Sequence, residues 1–214
     1  MPTDAGNPVV GTAHPTAMST GIDWDQHYQS GNPPWETGRP SAELQRVVAE
    51  QRIGPCRAIE LGCGSGINAV WLAQQGFDVT AIDFNRLAIQ KAHERAAAAG
   101  ASVRWLLADV CNFQEKCEPF PFFFDRGCYH AVRRDDLQGY LRTLQNVTAP
   151  GSLGLVLTGN AREPVVPGPP VVSEAELRGE LGSVFEIVHL REFRLDDVEE
   201  SASGFLGWSC FVRR

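Results

Sequence analysis

The sequence predicts an α/β fold: a doubly wound sheet of seven strands with helices on both faces. Three observations carry it. Apolar runs of strand length alternate with amphipathic runs of helix length between Cys56 and Gly159, the pattern of a parallel sheet. The first of those strands runs into a glycine cluster, Gly62, Gly64 and Gly66, where a helix begins. The last two apolar runs, 185–195 and 204–214, have no helix between them, so they pair antiparallel.

The elements follow in order. Residues 1–20 are rich in Pro, Gly, Thr and Ala without a period, which predicts a disordered tail. In GIDWDQHYQS, Trp24 and Tyr28 are four apart and share a helical face. GNPPWETGRP is a turn-rich loop that nevertheless holds Trp35. Ser41 is the N-cap of the apolar-striped helix SAELQRVVAEQR. CRAIEL is the first strand, and GINAVWLAQQG is a helix stopped by Gly76. FDVTAID, NRLAIQKAHERAAAAG and SVRWLLAD give strand, helix and strand. PFPFFFD is apolar throughout, as a strand buried on both faces must be. RDDLQGYLRTLQNVT sets Leu137, Tyr140, Leu141 and Leu144 on one helical face, and GSLGLVLTG is the fifth strand. AREPVVPGPPV is a Pro-rich loop, and SEAELRGELG opens with a capping box from Ser173 to Glu176. Residues 21–214 therefore read as one domain, with 21–50 as an N-terminal lid segment.

Composition narrows the function. The 214 residues suffice for one α/β domain with a full core. A net charge of −7 argues against nucleic acid or an anionic membrane as partner. No apolar run reaches spanning length and no leader is visible. The six cysteines form no C-x-x-C pair and no His stands at zinc-finger spacing, so no metal site is expected. A cytoplasmic protein with reduced thiols is the expectation, as a monomer or weak homo-oligomer.

The chemistry sits in AIELGCGSGIN. Its glycines let the backbone pass close to a ligand, and the helix start behind them favours an anionic group. The dinucleotide spacing G-x-G-x-x-G fails, because the sixth position counted from Gly62 is Ile67. Glu60, ending the first strand, suits a ligand with an amine. Asp83 ends the second strand, where a carboxylate can accept both hydroxyls of a ribose, with Phe84 beside it. Asp109 follows the third strand; its carboxylate can accept from an adenine amino group while Val110 offers its N–H. One such acid alone is ordinarily a solvated or capping residue. Three at successive strand ends mark the place where ligands bind in open α/β sheets.

With E-x-G-x-G-x-G and both downstream acids on the page, the chain resembles class I S-adenosylmethionine-dependent methyltransferases over residues 24–214. That resemblance implies a Rossmann-like sheet of order 3-2-1-4-5-7-6 with the last strand antiparallel. It implies S-adenosylmethionine as cofactor and S-adenosylhomocysteine as product. Glu60, Gly62, Gly64 and Gly66 would flank the methionine part, Asp83 and Phe84 the ribose side, and Asp109 and Val110 the adenine. WDQHYQSGNPPWETGRPSAEL and FFFDRGCYHAV are similar to segments of the thiopurine methyltransferase-like group, which includes bacterial tellurite-resistance and halide/thiol methyltransferases. By that likeness Arg126 would pair with the methionine carboxylate or an anionic acceptor. The glycine loop here is richer than in thiopurine methyltransferases themselves, which places the chain nearer the small bacterial members.

Methyl transfer needs alignment and exclusion of water more than acid–base help. Aromatic walls suit a sulfonium. The lid is therefore expected to close with Trp24 and Trp35 facing the cofactor, the alternative being that both simply pin the segment to the core. Tyr129 and His130 follow Arg126 and are the catalytic candidates on the acceptor side; His27 and Tyr28 lie on the lid. The expected reaction is in-line transfer to a small-molecule acceptor, a thiol, selenol, halide or similar soft nucleophile. O-methylation of a phenolic or carboxylic metabolite is the alternative within that class. A dinucleotide-dependent oxidoreductase and a non-catalytic cofactor-binding module are the alternatives outside it.

Overall fold

The computed structural model describes residues 23–31, 33, 35–163, 170–195 and 204–214. The expected tail, 1–20, and the middle of the Pro-rich loop, 164–169, lie outside the described residues.

Two helices come first, α1 (Trp24–Ser30) and α2 (Ala42–Glu50), each capped as a helix N-terminus requires: Asp23 accepts from Gln26 N–H and Ser41 from Leu44 N–H. Then strands and helices alternate: β1 (Arg57–Leu61), α3 (Ile67–Gln74), β2 (Asp78–Asp83), α4 (Arg86–Ala99), β3 (Val103–Leu107), β4 (Phe122–Arg126), α5 (Cys128–Val147) and β5 (Leu153–Asn160). A two-residue strand β6 (Val171–Val172), the capping-box helix α6 (Glu174–Glu180) and a hairpin of β7 (Glu186–Arg194) and β8 (Leu206–Arg213) complete the chain.

The sheet order is β3-β2-β1-β4-β5-β8-β7, with β8 antiparallel to both its neighbours. This is the expected order, since β7 and β8 are the sixth and seventh strands of the sequence reading. The extra strand, β6, pairs with Gly159 and Asn160 of β5, beyond the point where β4 ends. Two residues between Pro170 and the helix cap Ser173 are too short a run to signal a strand.

β4 shows why its sequence is apolar throughout. Phe123 packs into the core on one side of the sheet, with Ile59, Leu61 and Val156. Phe122 and Phe124 pack into the core on the other, with Ala58, Val79 and Leu155. Alternate side chains of a strand face opposite ways, so both faces must be covered. Each buried Phe contributes about 1.5–3 kcal/mol relative to exposure.

One boundary differs in a way that matters for the site. The helix after β4 begins at Cys128, ahead of the RDDLQ stretch that signals it. Its cap is remote. Gly127 turns the chain in the left-handed region (φ 88°), and the buried Asp125 accepts the N–H groups of Cys128 (3.0 Å) and Tyr129 (3.0 Å). Tyr140 donates to the same carboxylate at 2.8 Å. A break at Asp136 (φ −149°, ψ 71°) divides α5, and Asp136 recaps its second half through Gly139 N–H at 2.7 Å. The sequence pattern saw that second half.

Candidate functional site

The carboxyl ends of β1, β2 and β4 open on a cavity of about 510 Å³, a size suited to a small-molecule ligand. Its floor is the glycine loop, in which the three glycines do different work. Gly62 (φ 63°) lies against α5, where an added Cβ would stand 2.5 Å from Cys128 Cβ. Gly64 (φ 55°) lies under α1, where a Cβ would be 2.8 Å from Tyr28 Oη. Both line the cavity. Gly66 does not: it is the N-cap of α3, and a Cβ there would run into Trp105 and Ala92. In this fold it makes a helix-packing contact.

The acids at the strand ends differ as well. Asp83 accepts Gly64 N–H and Asn85 N–H, each at 2.8 Å, so it shapes the glycine loop while lining the cavity. Burial raises it to about 6 despite those hydrogen bonds. Glu60 is buried more completely in its bonding needs: Oε1 accepts from Asn68 Nδ2 at 3.3 Å, and Oε2 has no partner. Burial raises this carboxyl to about 8. Phe84 and Val110 line the cavity. Asp109 does not, because its Oδ1 accepts Cys111 N–H at 2.8 Å and thereby forms the turn that presents Val110.

The N-terminal segment lies against this floor and is tied to it by polar contacts of Asp25, Trp35, Glu36 and Ser41. Asp25 accepts from Asn85 Nδ2 at 2.7 Å, and Asn68 Oδ1 accepts Ser41 N–H at 2.9 Å. Trp35 O accepts from Arg126 Nη1 at 3.2 Å. Glu36 accepts from Ser65 Oγ at 2.5 Å and pairs with Arg95 at 3.4 Å. Trp35 packs with ring centroids 4.9 Å from Trp24, 5.0 Å from His27 and 5.9 Å from Tyr28. Its indole N–H donates to Tyr28 Oη at 3.1 Å. Trp24, Trp35 and Arg126 all line the cavity. Trp24 Nε1 is buried without a partner. Glu36, Asn68 and Asn85 were invisible in the sequence as site residues. Only the fold brings their distant partners to them.

The two acceptor-side candidates separate. Tyr129 points away from the cavity into the core, where its hydroxyl donates to Glu180 at 2.6 Å and its ring packs on Tyr140. Tyr129 does not line the cavity, although its neighbours Cys128 and His130 do. His130 lines the cavity and is buried. Gly159 N–H donates to its Nδ1 at 3.0 Å, and Thr158 Oγ1 is also 3.0 Å from Nδ1. Burial, then the nearby Arg126 guanidinium, push it down to about 3, so the imidazole is neutral. An apolar part of the wall is formed by Val132, Leu157, Pro170, Leu195 and Phe205, and Thr37 and Arg39 also line the cavity. Among the described residues no three His, Cys, Asp or Glu side chains gather as metal ligands, and no helix is long and apolar enough to cross a membrane.

The buried polar atoms give a test of fit for S-adenosylmethionine. Among the described residues two buried side-chain polar atoms lack a partner, Glu60 Oε2 and Trp24 Nε1, and both residues line the cavity. One requires a donor, the other an acceptor. An α-amino acid end, with ammonium and carboxylate, supplies both, and the residues present fit it.

Comparison with known proteins agrees with this site. Residues 19–211 match the family model described as thiopurine S-methyltransferase. The chain is 30% identical over 152 residues to the 2-heptyl-1-hydroxyquinolin-4(1H)-one methyltransferase of Mycobacteroides abscessus, covering 70% of this chain and 66% of that one. It is 26% identical over 121 residues to the probable S-adenosyl-L-methionine-dependent methyltransferase TehB of Haemophilus influenzae, covering 56% of this chain but 41% of that protein. The chain thus spans two thirds or less of the curated relatives it matches. A solved structure described as "Conversion of a Disulfide Bond into a Thioacetal Group during Echinomycin Biosynthesis" shares the fold, with TM-score 0.76 at 24% identity over 89% of this chain and 90% of that one. Fold, glycine loop, strand-end acids and family match converge, and the chain belongs to the thiopurine S-methyltransferase family of S-adenosylmethionine-dependent methyltransferases.

Proposed function

We propose that this chain transfers the methyl group of S-adenosylmethionine to a small-molecule acceptor by in-line displacement. The observation that carries the reading is the pair of orphaned buried atoms, Glu60 Oε2 and Trp24 Nε1, in one cavity above the glycine loop. Leaving such atoms unpaired costs about 1–3 kcal/mol each, which a matching ligand recovers. The cofactor supplies an activated methyl group on a sulfonium. Glu60 holds its ammonium; Arg126 and Trp24 face its carboxylate; Asp83 takes the ribose hydroxyls; Phe84 and Val110 flank the adenine. Residues 23–40 serve as a cover. Trp24, Trp35 and Tyr28 present aromatic walls, which hold a sulfonium methyl without the anionic charge that would oppose transfer. The expected roles of Gly62 and Gly64 in passing the methionine part stand on their place in the floor.

For the acceptor, a soft nucleophile such as a thiol, selenol or halide is favoured. Among the described residues, the wall of Val132, Leu157, Pro170, Leu195 and Phe205 is apolar, which suits nucleophiles that need little acid–base help. A second reading is O-methylation of a hydroxylated heteroaromatic. The same apolar wall supports it, since it suits a flat ring, and so does the relative named for a hydroxyquinolinone.

The test is thermal and chemical. S-adenosylhomocysteine raises the melting temperature with concentration, as ligand linkage requires, and NADH does not. Release of S-adenosylhomocysteine is then followed against thiols, iodide, phenols, N-hydroxy heteroaromatics and carboxylic acids. Stabilisation by NADH alone would overturn the reading; binding with no turnover of any acceptor would leave a cofactor-binding module.

A further inference from the structure

We propose that His130 is a hydrogen-bond donor to the acceptor through Nε2–H rather than a general base, so that this site selects acceptors whose nucleophilic atom is already ionised in water. The inference rests on the methyltransferase reading and refines its substrate class.

The geometry fixes the tautomer. Gly159 N–H cannot be anything but a donor, and it points at Nδ1 from 3.0 Å. Nδ1 must therefore present its lone pair, whichever way the Thr158 hydroxyl turns. A neutral imidazole has one proton, and here it sits on Nε2. Among the described residues no hydrogen bond of Nε2 is made within the protein. Nε2 lies on the Gly127 side of the ring, 3.4 Å from where a Gly127 Cβ would be, and Gly127 lines the cavity with His130.

Two consequences follow. To act as a base, His130 would have to take a proton on Nδ1 and break its bond to the β5 backbone. It would also place a cation beside Arg126, the charged group set against it. Burial and that guanidinium hold it neutral at every physiological pH. As a donor it loses nothing, because Nε2–H gains a partner when an acceptor with a lone pair arrives. An anionic sulfur or oxygen, or a carbonyl next to it on a flat ring, fits. The acceptors favoured are thus acidic aromatic thiols and N-hydroxy or similarly acidic hydroxy heteroaromatics. An aliphatic alcohol, which would need its proton removed, finds no base in His130.

Two measurements test this. The first needs no acceptor. Nitrogen-15 NMR of the imidazole in the full chain should show Nε2 protonated and Nδ1 bare, with no titration between pH 5 and 8. An Nδ1–H tautomer, or titration in that window, overturns the proposal. The second uses substituted thiophenols and N-hydroxyquinolinones of graded acidity. The inflection of kcat/KM with pH should move with each acceptor's own pKa. His130→Phe should raise KM about tenfold or more without moving that inflection, and His130→Gln, which keeps a donor, should restore part of the loss. An inflection common to all acceptors and abolished in His130→Phe would make the residue a base. Calorimetric affinity for S-adenosylhomocysteine shows that each variant is folded. If the wild type itself fails to bind that product, the methyltransferase reading fails, a result distinct from any of these.

Discussion

Among single residues, Glu60 is a buried carboxyl with an unpartnered oxygen. Its carboxyl is raised to about 8 by burial, and Oε2 is unpartnered. In the free protein at pH 7 it therefore holds a proton. An ammonium placed against Oε2 favours the carboxylate, so binding of S-adenosylhomocysteine should release a proton near neutral pH. Calorimetry of wild type in buffers of differing ionisation enthalpy will show that release. Glu60→Gln should abolish it and weaken binding about tenfold or more, the loss expected for a charged hydrogen-bond partner. Equal proton release in the variant would assign the effect elsewhere. Gly66 makes a contrasting case. Gly66→Ala adds a Cβ against Trp105 and Ala92 at a left-handed position (φ 78°), which should cost about 1–3 kcal/mol of stability in a denaturant titration. Its S-adenosylhomocysteine affinity per folded molecule should hold, because Gly66 does not line the cavity.

At the level of elements, the N-terminal segment is held mainly by contacts to cofactor-side residues, the glycine-loop Ser65, Asn68 on α3, Asn85 after β2 and Arg126 at the end of β4, while Glu36 also pairs with Arg95 on α4 and Glu43 with Arg191 on β7. Loosening the segment should therefore weaken product binding more than it weakens the fold. Glu36→Gln removes the charge from the Ser65 and Arg95 contacts. It should reduce S-adenosylhomocysteine affinity about three- to tenfold, with the melting temperature of the free protein nearly unchanged. Trp35→Ala removes the ring that Trp24, His27 and Tyr28 pack around. It should reduce affinity at least as far and slow turnover as well. Intact affinity and turnover in Trp35→Ala would reduce that residue to an anchor. The loop was legible as unusual because a large aromatic stood among turn formers. Its partners were not, since Asn85 and Arg126 are distant in the chain and carry ordinary alternatives as a helix cap and a surface cation.

For the whole molecule, three buried carboxyls outweigh the opposing effect of His130, which is lowered to about 3 and adds stability as pH rises toward 6.5. Asp83, Asp125 and Glu60 are raised by burial to about 6, 7 and 8, from ordinary values of 3.8, 3.8 and 4.5. A group whose folded pKa is raised contributes stability that is fully present below its unfolded pKa. That contribution is lost as pH rises through the folded value. The free protein's melting temperature should thus fall between about pH 5 and 8. Glu60→Gln should flatten the upper part of that fall, and saturating S-adenosylhomocysteine should do the same. A melting temperature that climbs across this range would contradict the burial of these groups. The fold that buries them was readable. Alternating strand and helix runs, and a final pair of strands without a helix, leave few arrangements of a parallel sheet.

The sequence by itself determined the sheet, the glycine turn, the strand-end acids Glu60 and Asp83, and the aromatic character of the cover. These follow from local periodicity, from residue types that only certain turns tolerate, and from the rule that strand carboxyl ends face the ligand. The tertiary structure decided which candidates share the cavity. It set Tyr129 into the core, where its hydroxyl meets Glu180 from a distant part of the chain, and His130 into the site. It moved Gly66 and Asp109 to supporting places and brought Glu36 to Ser65. It also settled which nitrogen of His130 carries the proton, since that depends on a backbone N–H of β5, remote in the chain and adjacent only in the folded sheet.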